Sequence, residues 1–206
     1  SLADIHKNTP QGAAPGDLLM KDLNGDGKLD DKDRTKIGSP WADFTMGLNL
    51  NLAYKQFDLL VNFYSSIGNE LVNQNISDLY NGTSLSNKVS GLDQMAWHGE
   101  GTSNYVPRLS KDDNNENFTK FSSFYVEDGS YLRLKTLVVG YDFNVEKMNY
   151  IKAIKIYATA NNLFTLTDYL GYDPEFSPTS SIFGQGADTG LAPQFKSFQL
   201  GLRLGL

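Results

Sequence analysis

The stretch from Asp43 to Gly68 sets the terms on which the rest of this chain can fold. From Asp43 to Tyr54 it reads DFTMGLNLNLAY, with Phe44, Met46, Leu48, Leu50, Leu52 and Tyr54 at the even positions. The odd positions are Asp43, Thr45, Gly47, Asn49, Asn51 and Ala53. A period of two is a strand's, not a helix's. Only Lys55 and Gln56 separate this run from a second, in which Phe57, Leu59, Val61 and Phe63 alternate, so the two runs must be antiparallel neighbours. In a soluble sheet the apolar face would pack on a core; in a membrane barrel it would meet lipid while the polar face lined the interior. A membrane strand needs about 9–11 residues with aromatic side chains at both interfaces. Trp41 and Phe44 flank one end of this hairpin, and Tyr54 and Phe57 the other.

The same rhythm returns three times. In SYLRLKTLVVGYDF the apolar positions are Leu132 and Leu134, then Leu137, Val139, Tyr141 and Phe143, and the slip of phase predicts a β-bulge near Lys135–Thr136. Arg133 and Lys135 then face the polar side, as members of an ion-pair network in the wall. IKAIKIYATANN places Ile154, Ile156, Ala158 and Ala160 on one face, and FKSFQLGLRLGL alternates Phe198, Leu200, Leu202, Leu204 and Leu206 with polar or small residues. The connections run short, long, short, long: two residues, about 60, about seven, about 30. Bacterial outer-membrane barrels have short periplasmic turns and long external loops, so the pattern predicts a transmembrane barrel. Both long connections would lie outside, with Leu206 at the periplasmic side. Five strands would leave open edges in lipid, so they are expected to be part of a larger barrel.

Composition excludes most other classes. No apolar run approaches the roughly 18 residues of a membrane helix. The 12% aromatic content suits strands with interfacial girdles. A net charge of −6 argues against a nucleic-acid partner. Cysteine is absent, which removes disulfides, thiol catalysis and Cys-ligated metals. The opening residues SLADIHKNTPQGAAPGD lack the charged head and apolar core of a signal peptide, so an outer-membrane chain is expected to continue upstream.

One segment is motif-like. In KDLNGDGKLDDKD, Asp22, Asn24, Asp26, Lys28 (through its carbonyl), Asp30 and Asp33 stand at positions 1, 3, 5, 7, 9 and 12 of a calcium loop, with Gly27 at position 6. Asp33 replaces the usual longer Glu; the alternative is an acidic turn that binds nothing. The expected partition is residues 1–42 as an external loop segment carrying this Ca2+ motif and 43–206 as barrel strands with their loops. The polar stretch from Gly68 to about Gly129 is expected to be functional or partly disordered. Its Trp97, His98, Tyr105 and Arg108 either contact a ligand or pack the loop on itself. Tyr169 and Tyr172 join Trp97, His98 and Tyr105 as candidate ligand-binding aromatics and amide partners on external loops. Enzymatic readings are weak. His6 and His98 are far apart in sequence, no nucleophile–base pattern is present, Asp173 and Glu175 read as turn residues around Pro174, and Asp188-Thr-Gly190 is an isolated tripeptide.

The blocks GDLLMKDLNGDGKLDDKDRTKIGSP, GLNLNLAYKQFDL, YVEDGSYLRLKTLVVGYDF and ATANNLFTLTDYLGYDPE, followed by the last alternating strand, resemble the C-terminal region of the SusC/RagA family of TonB-dependent outer-membrane transporters. The resemblance implies an all-β fold: an antiparallel transmembrane β-barrel segment, the last five strands of a 22-stranded barrel with an N-terminal plug. It implies import of oligosaccharides or peptides, driven through the TonB complex, with a SusD-like surface lipoprotein as partner. No plug or TonB-contacting segment lies in these residues, and the chain ends in Leu206 where such barrels usually end in an aromatic residue. A passive barrel or adhesin, and a soluble calcium-stabilised β-sandwich carbohydrate-binding module, are the alternatives.

Overall fold

The computed structural model describes residues 13–176 and 184–206; His6 and most of the N-terminal irregular stretch lie outside them. The described strands are β1 (Phe44–Tyr54), β2 (Phe57–Ile67), β3 (Glu70–Asn73), β4 (Val126–Asp128), β5 (Tyr131–Phe143), β6 (Ala153–Thr167), β7 (Ala187–Asp188) and β8 (Ser197–Gly205), with short helices α1 (Asn75–Leu79) and α2 (Leu92–Met95). Among the described residues no helix is long and apolar enough to cross a membrane. The chain divides into two compact units, each drawn from separated segments.

The first unit, residues 39–71, 128–176, 184–186 and 191–206, is built on a five-stranded antiparallel sheet in the order β1-β2-β5-β6-β8. Its register lines up the apolar phases of all five strands. Leu50 pairs with Val61, Val61 with Leu137, Leu137 with Ala160 and Ala160 with Phe198. One step along, Leu52, Leu59, Val139, Ala158 and Leu200 form the same kind of row. The resulting face is exposed, up to 81% at Leu200. Lys55, at φ 55°, closes the two-residue turn between β1 and β2. The short connections leave one end of the sheet and the long ones the other.

The bulge forms where the phase slips. Pairing of β2 with β5 shifts register between Asn62 and Phe63, opposite Thr136 and Leu134, which leaves Lys135 unpaired. Pairing of β5 with β6 shifts at the same level. There Asn162 takes φ 50°, a conformation asparagine tolerates better than most residues. This turn of phase explains a difference from the sequence reading, which ends the strand at Asn162: β6 continues to Thr167, with Phe164 and Leu166 back on the apolar face opposite Leu134 and Leu132.

The second unit comprises residues 13–38, 72–127 and 187–190. The polar stretch after β2 is folded around its own small core of Ile76, Tyr80, Leu92, Ala96, Val106, Phe118 and Tyr125. Polar side chains do the rest of the work. The buried Asn117 amide donates to Asp17 and Asp113, while its oxygen accepts from the Leu18 amide. Arg108 clasps Asp17 with two N–H groups at 2.7 and 3.2 Å. Burial would raise the Asp17 carboxyl, but hydrogen bonds from Arg108, Asn117 and the Ala14 amide outweigh it and hold the group below the usual carboxylate range. Gly16, at φ 88°, lies flat against Trp97; a Cβ there would fall 2.2 Å from the ring.

Candidate functional site

The face of the sheet opposite the apolar one carries the chemistry. One row crosses all five strands with hydrogen-bonding side chains: Asn49, Asn62, Thr136, Asn161 and Ser197. The Asn62 amide donates to Asn49, Thr136 Oγ1 donates to Asn161 at 3.2 Å, and Asn161 donates to Ser197 at 3.1 Å. Each group thus finds a partner in its own layer. This ladder is not legible in any single strand. Its signal was present in the asparagines at the odd positions of β1, but only the register shows that four other strands continue it.

Nearer the long connections, Arg133 is buried on the same face. Its three donor nitrogens are all used: Nε donates to Thr165 at 2.8 Å, Nη1 to Glu175 at 2.8 Å, and Nη2 to Asp173. Lys135, displaced by the bulge, donates to Glu175 as well. Asp173 accepts in addition from the amides of Glu175 and Gln194, both at 2.8–2.9 Å. The ion-pair network expected around Arg133 and Lys135 is present, and its anions are the two carboxylates flanking Pro174. That pairing gives Asp173 and Glu175 a structural occupation: they hold the residues after β6 to the strand wall. The Asp188 carboxylate likewise caps its own turn, accepting from the Gly190 amide at 2.8 Å.

The candidate ligand aromatics fall in both units. Trp97 packs on Gly16 and its amide donates to the Val106 carbonyl. The exposed His98 ring contacts the Asp93 carbonyl. Tyr105 lies 5.5 Å from Phe124, centroid to centroid, and burial followed by the charge of Glu127 pushes its hydroxyl up to about 12. In the sheet unit, Tyr169 is buried with its ring against Gly171, whereas Tyr172 is 72% exposed. Tyr172 lines a recess of about 270 Å³ with Arg133, Asn162, Thr165 and Pro174.

The Asp22–Asp33 loop is turned as a calcium loop would be, with Gly25 and Gly27 at φ 77° and 78°. Its carboxylates bind the loop's own amides. Asp22 accepts from Gly25 and Gly27, and Asp33 from Leu23, Asn24 and Asp30. The amides of Asp30 and Leu23 hold the Asp33 carboxyl below its ordinary value. Asn24 and Asp26 bond to each other, and Asp30 caps the turn at Lys32. Among the described residues no three His, Cys, Asp or Glu side chains are grouped as metal ligands.

No family model matches the chain. The TonB-dependent receptor P3 of Formosa agariphila is 35% identical over 211 residues, covering 96% of this chain and 20% of that protein. The TonB-dependent receptor SusC of Bacteroides thetaiotaomicron is 26% identical over 205 residues, covering 94% of this chain and 18% of that one. The RagAB peptide importer in its open-open state superposes with a TM-score of 0.73 at 25% identity, over 92% of this chain and 20% of the solved one. The chain therefore spans about one fifth of the length of the relatives it matches.

Replacing Arg133 by Met is expected to leave Asp173 buried without a counter-charge, at a cost of about 3–5 kcal/mol. Amide exchange at Glu175 and Gln194, which donate to Asp173, should quicken roughly a hundredfold or more. Unchanged exchange at both would show that the cluster does not hold this segment.

Proposed function

We infer that this chain, akin in sequence and fold to the SusC/RagA family of TonB-dependent receptors, forms part of the wall of an outer-membrane transport barrel. The observation that carries this is the continuous apolar face. Leu52, Val139, Ile156, Leu200 and Leu202 are among its exposed side chains, on a sheet whose edge strands β1 and β8 have no further neighbour among the described residues. Burying such a face in lipid stabilises it, and backbone groups at the edges can then be satisfied only by pairing with further strands. The 22-stranded barrel implied by the family supplies those strands from the rest of the polypeptide. The asparagine ladder and the Arg133 cluster then face the lumen, and the long connections face outward.

Import of oligosaccharides or peptides, coupling to the TonB complex and capping by a SusD-like lipoprotein follow from the same kinship. They are proposals about the whole protein. The external loops would supply the surface for cargo and lid, and nothing in the polar clusters favours an enzymatic role. Arg133, Asp173 and Glu175 satisfy one another.

The depth of the sheet in lipid can be read from paired substitutions in β8. Leu200→Arg is expected to cost about 2–4 kcal/mol, and to lower the amount of heat-modifiable barrel recovered in outer-membrane fractions. Gln199→Lys, one residue away on the other face, should be tolerated. Equal tolerance of both would contradict the membrane reading. Calcium in the Asp22–Asp33 loop is proposed on its spacing and its preformed turn; the ion would draw on Asp22, Asn24, Asp26, Asp30, Asp33 and the Lys28 carbonyl. Calorimetric titration of the full-length receptor should show one calcium site fewer in Asp22→Ala, and an identical isotherm would rule the loop out.

A further inference from the structure

In the unit made of residues 13–38, 72–127 and 187–190, a cavity of about 360 Å³ opens beside α1. Pockets for small ligands are typically about 300–1,000 Å³. Two kinds of group line it. Gln74 and Asn75 contribute amides, Thr119 a hydroxyl and Asp78 a carboxylate. Phe121 and Tyr125 contribute two rings whose planes lie within 8° of each other, with centroids 6.1 Å apart. Phe121 is 60% exposed, whereas Tyr125 is buried beneath it in the small core. The Tyr125 hydroxyl lies close to Ser77, which also lines the cavity, yet makes no hydrogen bond of good geometry.

This combination selects among ligands. A sugar ring offers an apolar C–H face that stacks on an aromatic ledge, and hydroxyls that both donate to and accept from amides and carboxylates. None of the lining residues is cationic, and the Asp78 carboxylate disfavours a sulfated or uronic sugar by like charge. A lysine or arginine side chain would favour the carboxylate, but cation recognition by aromatic groups works best when rings enclose the charge from several sides. Here the two rings are parallel and form a ledge rather than a box. The neutral side chains of Gln74, Asn75, Ser77, Thr119 and Thr189 can both donate and accept, whereas an ammonium group would use only their oxygens.

We propose that the cavity between α1 and the Phe121–Tyr125 ledge is a subsite for a neutral saccharide ring. It rests on the transporter reading, and names the class of cargo that reading leaves open.

The full-length receptor carrying this chain, purified in detergent, tests the subsite by calorimetric titration. The probes are neutral hexasaccharides of glucan, mannan, galactan and xylan, a polyuronate hexasaccharide and a lysine-rich hexapeptide. At least one neutral hexasaccharide is expected to bind, and the polyuronate and peptide are not. Phe121→Ala should weaken that binding about tenfold or more, whereas Phe121→Trp keeps the ledge and the affinity. Failure of every neutral hexasaccharide, binding of the peptide alone, or an unchanged Kd in both Phe121→Ala and Asp78→Ala would overturn the subsite. Heat-dependent migration of the same preparations reports on the barrel independently. A receptor that migrates as a barrel but fails the titration sinks the subsite alone, and one that does not migrate as a barrel sinks the transporter reading with it.

Discussion

A sheet with one apolar face and two open edges imposes two demands at once. The apolar face needs a medium without water, and in that medium every backbone N–H and C=O at the edge needs a partner. Lipid meets the first demand and makes the second absolute. On the transporter reading, the sheet of β1, β2, β5, β6 and β8 is an arc of a closed barrel, in which β1 and β8, each with one partner among the described residues, are handed on to further strands. On the other face the polar side chains satisfy one another. The row from Asn49 to Ser197 does this with neutral groups, and the cluster around Arg133 does it with charges.

The bulge at Lys135 links the two faces. A strand that slips by one residue would turn its apolar side chains inward, so the slip must be matched in its neighbours. Asn162 matches it in β6, and both strands resume with leucines and phenylalanine outward. The extra residue leaves Lys135 free to join Arg133 on Glu175. One backbone irregularity thus restores the apolar face and assembles the cation pair that holds the residues following β6.

How much of this was legible in the sequence depended on the range of the interaction. Alternation is local, so the five strands, the turn at Lys55–Gln56 and the bulge could be read directly. The end of β6 could not, because Asn162 looks like a strand breaker until its left-handed conformation is seen to be half of a bulge. Arg133 and Lys135 announced an ion-pair network, but their carboxylates lie some forty residues on and are separated by a proline that reads as a turn. The unit around Ile76 and Phe118 was the least legible. Its core residues are spaced without period, and its shape is held by Asn117, Asp113 and Asp17 bonding to distant backbone and side chains. Phe121 is illegible for the same reason: an aromatic residue in a polar loop gains meaning only from what stands across from it.

On the transporter reading, one face of this sheet meets lipid and the other does not. The chain contains no cysteine, so single cysteines can be placed at each position from Phe198 to Leu204 in β8 without interference from this region. Nitroxides attached there in the membrane-inserted receptor can be probed with oxygen, which concentrates in lipid, and with a water-soluble nickel chelate. The expected result is a period of two, with high oxygen accessibility at 198, 200, 202 and 204 and low accessibility at 199, 201 and 203. Uniform access of the nickel chelate to all seven positions would contradict it, and would make the sheet the face of a soluble assembly.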